Sequence, residues 1–264
     1  MTQSHPLSLK SRLSSAGGQA VFTAWCQWPG EWQALALVRA GFAGVLADMQ
    51  HGMFDYGHML AHVQAVGRAG GIPMVRPPLD DFGMVARALD AGASVIIMPM
   101  INTVEDAKRL VDVARFPPLA SRSMGPKGAL ELWQMQPQEY LSQSNELTTL
   151  LPMIETRRAL GNLDAILAVD GIDGVFVGPF DLSINLSGGK VGGANDPDVK
   201  AALPTIANAA KKAGKIAGIY ATGAEEANRF AGLGFDLVSA IGDAGLVSTG
   251  AAAVLGQIDA LRNT

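Results

Sequence analysis

Eight short apolar runs punctuate this chain, at residues 19–25, 44–47, 72–75, 94–98, 150–154, 175–177, 215–220 and 236–240, and helical patterns fill most of the gaps. Runs of this length, apolar without strict alternation, suit parallel strands buried on both faces. Gly41, Gly70-Gly71 and Gly92 follow helical stretches as stop signals, and Pro77-Pro78 after the third run cannot continue a ladder. Thr103 with Asp106 makes a near capping box, and Asp196-Pro197 opens a helix in which Pro204 predicts a kink or a late start. Eight strands alternating with helices over about 240 residues is the α/β pattern of a (β/α)8 TIM barrel. An open doubly wound sheet usually has fewer strands and a Gly-rich first turn, which CQWPGEW is not. The chain therefore reads as one barrel domain over residues 1–264, with residues 1–18 as a polar leader. Residues 116–149 break the rhythm as a long connection, and long loops inside compact domains are usually functional.

Composition removes several function classes. A net charge of −4 with no basic block argues against nucleic acid as a partner. The single cysteine, Cys26, allows no intrachain disulfide framework and no cysteine-rich zinc site. No secretory h-region is present, and no run looks apolar enough over about 20 residues to cross a membrane, so a cytoplasmic protein is expected. The last helix, from Asp243, carries no charged residue between 244 and 258. An ordinary outer barrel helix needs a polar face, so this one is expected to be covered by another subunit.

In a barrel the site sits where strands end. Glu155 follows the fifth run and Asp181 lies four residues past the sixth. Neighbouring strands would bring these acids together, a set that suits a divalent cation bound through oxygen. The same residues also read as a helix-start acid and an N-cap. His51 lies three residues after Asp48, close enough for the carboxylate to fix the imidazole tautomer of a general base, although a turn histidine capping the next helix has the same spacing. Arg76, at the end of an apolar strand and locked before two prolines, is placed to bind an oxyanion or carbonyl oxygen. His58 and His62, spaced i, i+4, read as a helix face, since no third zinc ligand accompanies them. None of the eight lysines falls at a strand's C-terminal end, which leaves no Schiff-base nucleophile.

The ordered set DMQHG, VRPP, IET and GPFDLS resembles the metal-dependent class II pyruvate aldolases of the HpcH/HpaI family. The resemblance spans nearly the whole chain and includes the loop around Arg122 and Gly125. It implies a TIM barrel that exchanges its eighth helix between subunits and builds homohexamers. Glu155 and Asp181 look like the family's ligands for Mg²⁺ or Mn²⁺, with Co²⁺ also admissible. A small-molecule 2-oxo acid, pyruvate or hydroxypyruvate, would chelate that ion, with the N–H groups of Phe180 and Asp181 holding its carboxylate. Arg76 matches the arginine on the keto oxygen. His51, oriented by Asp48, matches the acid–base pair. Arg122 and Tyr220 fall among the substrate contacts, and Asp90 resembles an aspartate that reaches the neighbouring subunit's site.

Three positions depart from the family pattern. Gln50 stands where glutamate is common, Met153 where glutamine is common, and Tyr220 where smaller aliphatic residues shape the aldehyde pocket. The expected activity is reversible aldol addition of the 2-oxo acid enolate to an aldehyde. The alternatives are an acyl-CoA lyase of the malyl or citramalyl type, or a non-catalytic 2-oxo acid binding protein.

Overall fold

A computed structural model describes residues 5–262, and residues 1–4 of the stretch read as a leader lie outside it. Eight parallel strands close into a barrel in sequence order. They are β1 (Val21–Cys26), β2 (Gly44–Asp48), β3 (Ile72–Arg76), β4 (Val95–Met98), β5 (Thr149–Ile154), β6 (Gly174–Val177), β7 (Ile216–Tyr220) and β8 (Leu237–Gly242). Alternate residues divide between two apolar layers, as a two-residue side-chain period requires. Leu46, Ile72, Met74, Val95, Ile97, Leu151, Met153, Phe176 and Leu237 fill the barrel interior. Val45, Val75, Ile96, Leu150 and Val177 face the helices. The Thr103–Asp106 capping box is formed in both directions, and Asp196 caps the helix that begins at Pro197. That helix does not start late but runs from Pro197 to Lys212 with Pro204 inside it.

Four features differ from expectation. The leader contributes a helix, Leu9–Ser15, and its fully buried Leu9 plugs the barrel beside Val21 and Ile72. Ser8 Oγ donates to Leu147 O at 2.8 Å, and Lys10 pairs with Asp173 at 2.7 Å. Residues 116–149 are no open loop: they hold two helices, Lys127–Trp133 and Pro137–Leu147. Buried Arg115 ties this insertion down, donating to Asn145 O, Thr148 Oγ1 and Gly171 O and pairing with Asp173. A further helix, Pro179–Ser187, starts directly after β6.

The fourth difference concerns Asp243–Arg262. By length and a mean hydropathy of 1.3 this helix could cross a bilayer, which corrects the expectation that no stretch could. Only its first turn packs on the barrel; Val247, Val254, Leu255 and Ile258 are exposed.

His62 is sealed beneath the helix Tyr56–Arg68, edge-on to Phe54 with ring centroids 5.2 Å apart. Burial pushes its pKa down to about 4, against the usual 6.5, and only a backbone contact at Val45 opposes this. Folding therefore requires the neutral ring. That stability is intact above pH 6.5 and is lost as pH falls towards 4. Relative to His62→Leu, the wild type should lose about 2 kcal/mol of urea-unfolding stability between pH 7.5 and 5.

Candidate active site

The C-terminal ends of β1, β2, β3, β5, β6 and β7 surround a cavity of about 290 Å³. Its wall includes His51, Arg76, Glu155, Phe180, Asp181 and Tyr220, so six of the residues singled out in the sequence share one chamber.

The β2–β3 register sets Asp48 directly opposite Arg76. Arg76 Nε and Nη2 reach Asp48 Oδ1 and Oδ2 at 2.8 and 2.6 Å, a bidentate pair that leaves Nη1 for the cavity. Trp25 completes the clamp: its Nε1 donates to Asp48 Oδ2 at 3.1 Å, and the Arg76 guanidinium lies 4.7 Å over its ring. Asp48 is fully buried, which alone would raise its pKa, but the bonds and charge of Arg76 outweigh burial and hold it below the usual carboxylate range. This corrects the role expected of Asp48. Its Oδ1 accepts the backbone N–H groups of Gln50 and His51 at 3.1 and 3.2 Å, so it shapes the turn that carries His51 and makes no bond to the imidazole ring.

β5 and β6 are neighbours, with Ile154 opposite Val177. Glu155 and Gly178 therefore emerge side by side. A Cβ on Gly178 would lie 2.4 Å from Glu155 Oε1, so only glycine leaves the carboxylate its place. Glu155 Oε2 accepts the Met100 N–H at 2.9 Å, presented from a left-handed backbone with φ of 55°. Burial, the largest influence, pushes the Glu155 carboxyl up to about 7. Asp181's charge adds to the rise, while the Met100 N–H and Arg76 oppose it. Asp181 stands in the first turn of the helix Pro179–Ser187. The first bond of that helix runs from Leu182 N–H to Gly178 O, which leaves the Phe180 and Asp181 N–H groups as free donors at a positive helix end.

A desolvated carboxylate driven up in pKa beside a second acid is a site that a cation would relieve. Among the described residues no third His, Cys, Asp or Glu joins them. Two carboxylates with positions left for water and substrate suit Mg²⁺ or Mn²⁺ better than a closed structural site. The residues present fit a hard divalent ion.

Two expected residues lie elsewhere. Arg122 does not line the cavity: its Nη2 bonds Asp90 Oδ1 at 2.6 Å and its guanidinium stacks 4.5 Å from the Phe116 ring. This corrects its placing as a substrate contact within one chain. Asp90 is held by the same pair, with its side chain 28% exposed. His58 pairs with its own N-cap, Asp55, at 3.0 Å.

Other residues escaped the sequence reading. Trp25 and Gln27 line the cavity, and a tryptophan at the end of a barrel strand was the available signal for the first. Buried Asp243 accepts the N–H groups of Gln27 and Trp28 at 2.9 and 2.8 Å and the Gln33 amide at 3.1 Å, fastening the loop after β1 to the start of the last helix.

The model of the family described as HpcH/HpaI aldolase/citrate lyase matches residues 31–248. A hydroxypyruvate/pyruvate aldolase of Rhizorhabdus wittichii is 36% identical over 244 residues, covering 92% of this chain and 96% of that protein. A 4-hydroxy-2-oxo-heptane-1,7-dioate aldolase of Salmonella dublin is 35% identical over 240 residues, covering 90% of each. The crystal structure of an HpcH/HpaI aldolase/citrate lyase family protein from Burkholderia cenocepacia superposes with a TM-score of 0.84 at 30% identity, over 95% of this chain and 98% of that one.

Proposed function

The chain belongs to the HpcH/HpaI aldolase/citrate lyase family and is a carbon–carbon lyase of the aldolase type, and from that premise we propose how its residues carry the reaction. The substrates are a 2-oxo acid, pyruvate or hydroxypyruvate, and an aldehyde; the reverse reaction cleaves a 4-hydroxy-2-oxo acid. Class II aldolases of this family generally need a divalent metal, and Glu155 and Asp181 are the residues that would hold it. The observation carrying this reading is the buried Glu155, pushed up to about 7 beside Asp181 and facing Arg76 across the cavity.

A divalent ion bound there supplies Lewis-acid charge to the oxo acid's oxygens, favouring the negative charge that enolisation creates. The protein's own part is positional and acid–base. The N–H groups of Phe180 and Asp181 hold the substrate carboxylate at the helix end. Arg76 Nη1 donates to the keto oxygen, where charge develops, and Asp48 with Trp25 keeps the guanidinium aimed. His51 takes the C3 proton. The enolate carbon then bonds to the aldehyde carbon, and the proton returns to the new alkoxide. With pyruvate in D₂O, C3 deuterium exchange should appear with added Mg²⁺, Mn²⁺ or Co²⁺ and vanish with EDTA. Exchange undiminished by EDTA would sink the metal reading.

The assembly we propose is a cytoplasmic homohexamer in which the Asp243–Arg262 helix is exchanged between subunits and Asp90 reaches the neighbouring site. A helix that carries no charge from 244 to 258 and is exposed over most of that length supports it, since such apolar surface is seldom left to water. Light scattering at micromolar concentration should give several subunits for the wild type and fewer for the double variant Val254→Lys, Leu255→Asp. A monomeric wild type would overturn this.

A further inference from the structure

A second, smaller cavity of about 120 Å³ lies beside the first and shares three of its residues, Pro179, Phe180 and Tyr220. The Phe180 and Tyr220 rings, 6.4 Å apart between centroids, line both cavities. The far wall is built with care. Buried Ser183 donates to Phe180 O at 2.7 Å and accepts the N–H groups of Gly192 and Gly193 at 3.1 and 2.9 Å, which pins that loop against the helix. Gly193 has φ of +54°, and a Cβ there would press to 3.2 Å from the Phe180 ring.

The remaining wall is polar and one-signed. Asn195, Thr222 and Glu226 line it, and among the described residues no lysine or arginine does. Glu226 Oε2 accepts from Thr222 N–H at 3.0 Å and Thr222 Oγ1 at 2.7 Å, which fixes the carboxylate. Its Oε1 has only Arg229 at 3.5 Å and keeps capacity for another donor.

We propose that this annex receives the far end of the acceptor aldehyde, that it favours a neutral, hydroxyl-bearing tail, and that Glu226 turns away a tail ending in carboxylate. The proposal rests on the aldolase reading above and names the acceptor class for it. The donor lies against Arg76, Glu155 and Asp181 in the main cavity. The new bond joins donor C3 to the aldehyde carbon, whose oxygen takes up the proton. Substituents beyond that carbon extend past the Phe180 and Tyr220 rings, which line both cavities. There a hydroxyl donates to Glu226 and exchanges bonds with the Asn195 amide. A second carboxylate would lie beside a fixed like charge that Arg229, at 3.5 Å, only partly offsets.

The test compares kcat/KM for D-glyceraldehyde and for succinic semialdehyde, each with pyruvate and Mg²⁺, within each variant. The wild type should favour glyceraldehyde. Glu226→Gln should shrink that ratio about tenfold, mostly through KM for the semialdehyde. Asn195→Asp, at an exposed position, should widen it and serves if Glu226→Gln does not fold. A ratio that neither substitution moves would overturn the annex as the tail site. Pyruvate C3 exchange in the wild type, which needs no acceptor, is run alongside: its absence would strike the aldolase reading, whereas normal exchange with an unmoved ratio strikes the annex alone.

Discussion

Arg76→Ala should lower metal-dependent C3 deuterium exchange of pyruvate by about 10³-fold, at the upper end for losing one oxyanion donor. Nη1 is the one Arg76 guanidinium nitrogen that Asp48 does not occupy, and in the proposed mechanism it is the donor to the keto oxygen. Manganese binding, read by paramagnetic relaxation of water, should survive, because Glu155 and Asp181 are untouched. The variant also leaves Asp48, fully buried, without its counter-charge, at a cost of about 3–5 kcal/mol. Arg76→Lys is the companion that separates folding from chemistry. It keeps a cation near Asp48 but loses the fork, so it should fold close to normally and still fall well below the wild type. Wild-type exchange in either variant would remove Arg76 from the mechanism.

Glu155→Gln should abolish activity and, in EDTA, raise stability. The carboxylate is desolvated and crowded by Asp181, which is why it sits near 7 instead of its usual range. Above that pH the metal-free protein keeps a charge that the unfolded chain would solvate freely. An uncharged isostere removes a penalty on the order of 2 kcal/mol, and its amide oxygen can still accept the Met100 N–H. The melting temperature in EDTA at pH 8 should therefore rise, and the stabilisation by Mg²⁺ seen in the wild type should disappear. A variant that melts lower in EDTA and still responds to Mg²⁺ would show that the ion is held elsewhere.

The barrel was legible because the strands announce themselves locally as short apolar runs, most of them with a glycine or proline at the edge. Glu155, Asp181, Arg76 and His51 were legible for the same reason, as polar residues where such runs stop. Partnerships were not. Asp48 lies three residues from His51 but one strand away from Arg76, and the bidentate guanidinium takes its oxygens. Nothing within ADMQHG carries that competition. Arg122 and Asp90 are likewise joined by the folding of the 116–149 insertion, whose helices are too short and too polar to show a clear period. Met100 left no trace at all, since its contribution is a backbone N–H set by an unusual φ.

Asp243 stands at the root of the helix that leaves the barrel, and its carboxylate grips the backbone of Gln27 and Trp28 beside the reaction chamber. In the proposed hexamer, quaternary contact and chamber wall then hang from one hinge pin. Neighbours that pull away on dilution would slacken the rim over the substrate, so turnover per subunit would fall with enzyme concentration even while each barrel stays folded.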